Sequence, residues 1–304
     1  MKKMKKVNYA AIDIGSNAVR LLIKQVNDDA AAELFTKVLL LRVPLRLGED
    51  AFTRGEISPE KVKNLVRLIK AFRELMKIYE VADFRACATS AMRDARNGDA
   101  VVRKVEKKTG IRIEIISGNE EARIVYDNHI ENILSHEQNY IYVDVGGGST
   151  EVSLISGGEL KSSKSYNVGT VRMLKKNVRL QDGEALCRDL KGMATEYPDL
   201  IMIGSGGNIN KLFRLTEEKD ENASLLPVAS LQQLADSLKK YDAKEREKQF
   251  NLKPDRAEVI VPAAEIFLEV ARCSGANVIW VPTIGLSDGI IDSLYSRRLE
   301  KKGD

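Results

Sequence analysis

Two stretches of the chain share one order of apolar and polar positions. Residues 11–17 read AIDIGSN and residues 142–151 read YVDVGGGSTE, so in both an aspartate between apolar residues precedes a glycine turn. Each turn is followed by a second run rich in β-forming residues, VRLLI in the first case and TEVSLIS in the second. This pattern predicts a strand–turn–strand hairpin over residues 7–26 and another over residues 140–156.

A helical period is strongest between residues 58 and 80. Ser58 precedes Pro59, which is typical of a helix N-terminus. The apolar residues that follow recur every three or four positions and form one stripe: Val62, Leu65, Ile69, Phe72, Met76 and Tyr79. The opposite face is basic, as expected for a solvated helix surface.

The rest of the pattern alternates between short strands and helices, which predicts an α/β protein. Strands are expected at 37–46, 111–117, 159–168, 199–204 and 277–282, with a Gly-Gly hairpin before the third of these. Residues 83–97 are expected to form a buried strand that breaks into a polar loop. Helices are expected at 99–108, 118–134, 184–197, 207–215, 230–250, 254–273 and 286–300.

The length of 304 residues leaves room for two domains. Because the aspartate–glycine pattern opens each half of the chain, a duplicated unit is the simplest interpretation. We place the division near residue 125, with an N-terminal domain over 1–125 and a C-terminal domain over 126–304. The last helix is free to pack back on the first domain.

Composition narrows the class of protein. Hydrophobic residues make up 43% of the chain and charged residues 30%, which is normal for a globular protein and unlike a disordered one. A net charge of +4 does not indicate a nucleic-acid-binding protein. No apolar run is long enough to span a membrane and no signal peptide is evident, so we expect a cytoplasmic protein without a membrane partner.

The three cysteines, Cys87, Cys187 and Cys273, lie far apart and show no metal-ligand spacing. They are therefore predicted to be reduced thiols, buried as small apolar groups. The two histidines, His129 and His136, are interpreted as solvated positions rather than catalytic ones.

The turns themselves suggest phosphate chemistry. Gly15 in the first turn, and Gly146, Gly147 and Gly148 in the second, have no Cβ atoms, so backbone N–H groups can converge on an anion. Ser16 and Ser149 add hydroxyl groups. Since an adjacent carboxylate repels a bare phosphate, the pairing predicts a divalent cation between them, and Mg²⁺ is commonly held by one or two carboxylates plus phosphate oxygens.

Two further glycine turns follow predicted strands, IGSGGNI at 203–209 and TIGLSDG at 283–289. The first of them, with Gly206 and Gly207, is a candidate for close approach to a phosphate or a nucleotide. Neither turn fits the P-loop pattern, and no strict G-x-G-x-x-G opens a helix, which argues against the common NTPase and dinucleotide folds.

Eight motifs are distributed along nearly the whole chain: AIDIGSNAVRLLI (11–23), ATSAMRDARN (88–97), ISGNEEAR (116–123), VDVGGGSTE (143–151), NVGTVRM (167–173), GSGGN (204–208), LKPDRAEVI (252–260) and GLSDGIIDSLY (285–295). Together they resemble the exopolyphosphatase/guanosine pentaphosphate phosphohydrolase (Ppx/GppA) family of the actin/Hsp70/sugar-kinase superfamily. The resemblance implies two ribonuclease-H-like domains with an active-site cleft between them. It also implies a homodimer and Mg²⁺-dependent (or other divalent-dependent) hydrolysis of a terminal phosphoanhydride.

The resemblance also implies roles for single residues. Glu121 corresponds to the base that orients the attacking water, and Arg93 to a phosphate-contacting arginine. Phosphate binding is implied for Ser16, Asn17, Gly146, Gly147, Gly148, Ser149, Gly206 and Gly207, and metal binding for Asp13, Asp144 and Glu151. Purely structural roles remain open: a helix N-terminal charge for Glu121, a loop charge for Arg93, a turn cap for Asp13 and a hairpin hydrogen bond for Ser149.

Two features depart from the family pattern. Ala18 stands where many members carry Ser or Thr, which removes one hydroxyl. The sequence stops soon after residue 295, so we expect the short form without a C-terminal HD-type domain.

Three functions are considered. The first is an exopolyphosphatase that acts on inorganic polyphosphate, and the second is a phosphohydrolase that converts guanosine pentaphosphate to the tetraphosphate. The third is an ATP-binding kinase or sensor of the same superfamily, for which a water-activating Glu121 would have no use. Polyphosphate is favoured.

Overall fold

The computed structural model describes residues 7–27, 34–126, 135–282 and 285–303. Its contacts divide the chain into two compact units. Unit 1 comprises the chain up to Ser117 together with residues from Leu286 onward, and unit 2 comprises Gly118–Gly285. The predicted division at residue 125 falls inside a helix that begins at Gly118 and packs on strands of unit 2, which is why the division by contacts comes earlier.

The strands, numbered in chain order, are β1 (Asn8–Ile14), β2 (Val19–Val26), β3 (Phe35–Val43), β4 (Val81–Ala88), β5 (Glu114–Ile115), β6 (Asn139–Val145), β7 (Thr150–Ser156), β8 (Glu159–Tyr166), β9 (Ile201–Ser205), β10 (Leu225–Pro227) and β11 (Val278–Trp280).

The helices are α1 (Leu47–Arg54), α2 (Pro59–Ile78), α3 (Ser90–Asp94), α4 (Gly98–Thr109), α5 (Gly118–Tyr126), α6 (Thr170–Leu174), α7 (Leu180–Glu196), α8 (Gly207–Leu215), α9 (Val228–Lys239), α10 (Ala243–Gln249), α11 (Pro254–Ser274) and α12 (Leu286–Gly303). Among the described residues, none of these helices combines the length and apolar character needed to cross a lipid bilayer.

Within its described residues, unit 1 contains one sheet with strand order β3-β2-β1-β4-β5. β1 pairs antiparallel with β2 and parallel with β4, so the hairpin predicted around the first glycine turn is formed. Apart from Asn8, every residue of β1 is buried, because α12 packs on this strand and its neighbours. The chain therefore enters the first turn from a fixed strand.

Unit 2 repeats this arrangement in a sheet with strand order β10-β11-β9-β6-β7-β8, again counted over the described residues. β6 pairs antiparallel with β7 and parallel with β9, as β1 does with β2 and β4. The apolar core lies between this sheet and α7, α9 and α11, with Phe267 of α11 fully buried. Both aspartate–glycine stretches thus lie at the same place in matching sheets.

Several elements differ from the sequence prediction. The strand expected at 111–117 is reduced to β5, and the helix expected at 230–250 is two helices, because Asp242 and Glu245 form a capping box that starts α10. Helices α1, α3 and α6 and strand β10 were not predicted, and α3 lies where a polar loop was expected. Residues 127–134 of the helix predicted to start at 118 lie outside the described residues.

The prediction of three reduced thiols is wrong for two of them. Cys187 of α7 and Cys273 of α11 form a disulfide across a sequence separation of 86 residues. The facing helices bring the two together, and their spacing along the chain gives no sign of it. Cys87 is buried in β4, as predicted.

Candidate active site

The first glycine turn is closed by its own backbone. Gly15 N–H donates to the Ala18 carbonyl at 3.1 Å, and the Ser16 carbonyl accepts from Gly48 N–H of α1 at 2.8 Å. The Ser16 hydroxyl lies 2.9 Å from the hydroxyl of Ser90 in α3. The turn carbonyls therefore face α1, whereas Ser16 N–H makes no hydrogen bond within the described part of the chain.

Asp13, just before this turn, is buried and paired with a cation. Arg20 lies directly opposite it on β2, and its Nη1 is 2.5 Å from Asp13 Oδ2. One of the two carboxylate oxygens predicted to bind metal is thus engaged by a guanidinium. The sequence reasoning did not consider Arg20, although the hairpin register would have identified it.

Arg93 is placed in the same unit as the first turn. It lies in α3, the helix that contacts the turn through Ser90, and its Nη1 donates to the Ile116 carbonyl at 2.8 Å. Arg93 is only half-buried. The amide oxygen of Asn17, another predicted phosphate-binding residue, is buried.

The second turn closes in the same manner as the first, with Gly146 N–H donating to the Ser149 carbonyl at 2.9 Å. Its carbonyls are held by the start of α6. Backbone N–H groups of residues 170–172 donate to the Gly146 and Gly147 carbonyls at 2.8–3.1 Å, and Arg172 Nε donates to the Gly148 carbonyl at 2.8 Å. All three glycine carbonyls therefore point toward α6.

The residue before α6 must also be a glycine. A Cβ atom on Gly169 would lie 2.4 Å from the carbonyl carbon of Gly148 and 2.5 Å from Ser149 N. With the carbonyls held in this way, the N–H groups of Gly147, Gly148 and Ser149 make no hydrogen bond within the described residues. Three adjacent backbone donors at a glycine turn form a concave site suited to an anion.

Asp144 lies against the third glycine turn. Gly206 has φ 94°, and a Cβ atom on it would be 2.7 Å from Asp144 Oδ1. This close approach arises because β6 and β9 are parallel neighbours, with Asp144 in register with Ser205. The Ser205 hydroxyl lies 3.5 Å from Asp144 Oδ2, at the limit of a hydrogen bond. The second and third turns, both predicted from sequence, thus meet around one carboxylate.

Glu151 is buried two residues beyond Ser149. Its Oε1 accepts hydrogen bonds from the Ser149 hydroxyl at 2.7 Å and from the Ser165 hydroxyl of β8 at 2.8 Å. Sequence reasoning did not identify Ser165.

Glu121 lies in the first turn of α5 and belongs to unit 2, as do Asp144 and the second turn. The Glu121 side chain is half-buried with its Oε2 inaccessible to solvent, whereas the adjacent Glu120 is exposed. The helix starts close to β8, since a Cβ atom on Gly118 would lie 2.3 Å from Ser165 Cβ.

Basic residues surround the third turn. An Arg256 guanidinium nitrogen donates to the Gly207 carbonyl. Burial, together with the nearby charges of Arg256 and Arg214, lowers the pKa of Lys211 in α8. A cluster of like charges is suited to an anionic ligand. Arg256 belongs to the motif LKPDRAEVI, but the sequence gives no sign of its contact with the glycine turn, which lies 49 residues away along the chain.

The structure therefore gathers the predicted residues Glu121, Asp144, Gly146–Ser149, Glu151 and Gly206–Gly207 in unit 2. Asp13, Ser16, Asn17 and Arg93 lie in unit 1. That the two sets meet in one cleft stays a prediction.

Comparison with known proteins agrees with the motifs. A family model described as the Ppx/GppA phosphatase family matches residues 23–298. Exopolyphosphatase 2 of Mycobacterium tuberculosis is 28% identical over 313 aligned residues, which cover 94% of this chain and 98% of the relative. A bifunctional 3-dehydroquinate synthase/phosphatase of Fusobacterium nucleatum is 33% identical over 171 residues, covering 55% of this chain and only 26% of that protein.

Among solved structures, an exopolyphosphatase from Cytophaga hutchinsonii superposes with a TM-score of 0.82 at 21% identity, covering 95% of this chain and 98% of the other. This similarity confirms the predicted α/β fold class. The chain therefore belongs to the Ppx/GppA phosphatase family and is a hydrolase of phosphoanhydride bonds.

Proposed function

We propose that the protein is an exopolyphosphatase that removes the terminal phosphate of inorganic polyphosphate. Water attacks the terminal phosphorus and the bridging P–O bond breaks. Orthophosphate is released, and the remaining polyphosphate chain is one phosphate unit shorter. The observation that carries the proposal is the second glycine turn, where three backbone N–H groups without partners in the described residues lie in the same hairpin as Asp144. The relative named Exopolyphosphatase 2, aligned over 94% of this chain, supports polyphosphate as the substrate.

We assign phosphate binding to residues of the two glycine turns and to Arg93. Within unit 2, backbone donors of the second turn would hold the terminal phosphate. Within unit 1, Ser16 and Asn17 of the first turn are proposed as phosphate-binding residues. An arginine can clamp two phosphate oxygens at once, which fixes the orientation as well as the charge. Catalysis of phosphoryl transfer depends mainly on such positioning and on neutralising charge.

The residues present fit a magnesium ion. Asp144 offers a hard carboxylate oxygen beside a glycine turn, and Gly206 leaves space where a side chain would otherwise press on that carboxylate. Asp144 would hold the ion, which would neutralise negative charge on the phosphate when bound. The other two predicted ligands already have partners on one oxygen each: Asp13 with Arg20, and Glu151 with two serines.

Glu121 is proposed as the base. It is a half-buried carboxylate of the same unit as Asp144 and the second turn, and it would take a proton from the attacking water. General-base assistance of this kind contributes about 10²–10⁴ in rate.

The test compares substrates side by side. Purified protein is given short polyphosphate, long polyphosphate and guanosine pentaphosphate, each with Mg²⁺ and with a chelator, and orthophosphate release is measured. We expect Mg²⁺-dependent release that is fastest from polyphosphate. Faster release from guanosine pentaphosphate would assign the protein to the other activity in the family name. ATP-dependent phosphorylation without phosphate release would favour the kinase alternative.

A further inference from the structure

Ser149, Glu151 and Ser165 form a hydrogen-bonded group. Ser149 is 2% exposed and Glu151 is 3% exposed, so water does not compete for the bond between them, and Ser165 is half-buried. Glu151 lies directly opposite Ser165 in the β7–β8 register, and both serine hydroxyls reach the same oxygen, Oε1. Two donors on one oxygen hold that carboxylate in place.

The chemistry of the group fixes the direction of both bonds. Glu151 Oε1 accepts from both hydroxyls, so each serine spends its single hydroxyl proton on Glu151. The Ser149 hydroxyl then has lone pairs to offer and no proton for a phosphate oxygen. Its backbone N–H, by contrast, has no partner within the described residues and can donate to phosphate.

The same group contacts the helix of the proposed base. α5 packs on β8, and Gly118 at its start approaches Ser165 so closely that a Cβ atom there would clash at 2.3 Å. A continuous set of contacts therefore joins the start of the Glu121 helix to Ser165, then to Glu151, and finally to the second glycine turn.

We propose that Ser165 and Glu151 are positioning residues: Glu151 holds Ser149 in the glycine turn, and Ser165 holds both Glu151 and the start of α5. Glu151 acts as a hydrogen-bond acceptor rather than as a metal ligand. The Ser149 hydroxyl presents its lone pairs to a cation or a water, and Ser149 contributes its N–H to phosphate. The inference rests on the proposed function for its substrate, but its geometry is independent of which phosphoanhydride is cleaved.

The test uses a matched pair of variants on one strand. Ser165→Ala removes the bond to Glu151, and Ser163→Ala removes a comparable hydroxyl two residues away, where Ser163 bonds Ser153 at 3.1 Å. Loss of a supporting residue of this kind costs about 10–100-fold in activity. We expect that loss in kcat for Ser165→Ala, with KM changed less than about threefold. Ser163→Ala should behave as the native protein.

Metal affinity gives a second readout that does not need turnover. Glu151→Gln keeps an oxygen that can accept both serine bonds but removes the charge. We expect its Mg²⁺ affinity, measured by calorimetry with tripolyphosphate present, to stay within about threefold of the native value, whereas Asp144→Asn should weaken it about tenfold or more.

The results that would overturn this inference differ from those that would overturn the proposed function. Equal activity loss in both serine variants, no loss in Ser165→Ala, or a tenfold weaker Mg²⁺ affinity in Glu151→Gln would overturn the inference. If only guanosine pentaphosphate is cleaved, the serine variants are compared on that substrate, and the polyphosphate proposal alone fails. If neither substrate is cleaved, the Mg²⁺ titration of Glu151→Gln still decides.

Discussion

Glu120 and Glu121 are neighbours in the first turn of α5, yet one is exposed and the other half-buried. This difference provides a control for the proposed base. Glu121→Gln keeps the size of the side chain and removes its basicity, so turnover should fall at least about 100-fold, the lower end of the usual range. Phosphate release is the measurement, with circular dichroism to check folding.

Glu120→Gln removes the same charge from the same helix turn, and its turnover should stay near the native value. If both variants lose activity equally, the effect comes from the charge at the helix N-terminus, and Glu121 has no role as a base.

Gly206 offers a second test at a single position. Gly206→Ala places a methyl group 2.7 Å from Asp144 Oδ1 and requires an alanine at φ 94°. The backbone strain should lower the free energy of unfolding by about 1–3 kcal/mol. Displacement of Asp144 should reduce kcat/KM about 100-fold, the typical consequence of a group shifted by about 1 Å.

Gly157→Ala is the matched control, because Gly157 also has positive φ but no atom within 4 Å of an added Cβ. It should lose stability without losing turnover in phosphate-release assays. Native-like activity in Gly206→Ala would show that Asp144 does not need its present position.

The sequence was most informative about residues whose chemistry is local. The glycine turns and their aspartates follow from short motifs, because the order of apolar residue, aspartate, apolar residue and glycine is contained in a few consecutive residues. The contact between Gly206 and Asp144 does not, because it arises from the pairing of β6 with β9. Arg20, Ser165 and Arg256 were missed because each meets its partner through strand register or helix packing, which no local motif encodes.

Among the elements, α1 and the start of α2 depend on one buried carboxylate. Asp50 of α1 accepts a hydrogen bond from Ser58 N–H at 2.9 Å and lies 3.2 Å from Lys61 Nζ. Burial alone would raise the pKa of Asp50, but the hydrogen bonds from Ser58 and Lys61 outweigh it, so the pKa of Asp50 lies below its ordinary value. The ionised form is therefore the one that stabilises the fold.

Asp50→Asn should lower the free energy of unfolding by about 1–3 kcal/mol at neutral pH. Because the folded pKa is depressed, the contribution of Asp50 is complete above the unfolded pKa and is lost as pH falls through the folded pKa. The difference between native protein and variant should shrink below about pH 4. Urea unfolding across this pH range measures it.

A surface carboxylate provides the control: Glu74→Gln breaks an exposed pair with Lys77 and should change stability little at any pH. If the difference for Asp50→Asn were constant from neutral to acid pH, the stabilisation would not come from its ionised form.

Helices and strands were predicted best where a hydrophobic periodicity extends over many residues or where a capping residue marks the start of a helix. α2 begins after Ser58 and buries Val62, Leu65, Ile69, Phe72 and Met76, as the stripe indicated. α1 was missed because it is short and polar and begins after Arg46 in a left-handed conformation, which gives no start signal in the sequence. β5 is brief because it pairs with β4 alone, at two positions.

For the whole molecule, the Cys187–Cys273 disulfide is the covalent constraint within unit 2. A cross-link that closes a loop of this size typically adds about 2–4 kcal/mol to stability. The double variant Cys187→Ser/Cys273→Ser should lose that amount in urea unfolding. Hydrogen exchange should quicken in α7 and α11 but not in α2 of unit 1.

Reduction of the native protein with a phosphine should reproduce the loss, and the double variant should show no further change under the same treatment. Equal stability of the native protein with and without reductant would mean that the bond does not constrain the chain in solution.

The grouping of α12 with unit 1 affects how the protein is made. Tyr9 of β1 receives a hydrogen bond from Arg298 and packs edge-on against Tyr295, and Lys24 of β2 pairs with Asp288. A ribosome delivers β1 first and these partners nearly three hundred residues later. All residues of unit 2 are synthesised before α12. Unit 1 therefore begins before unit 2 but can complete its fold only after it. Until α12 is synthesised, β1 and β2 must be protected from aggregation.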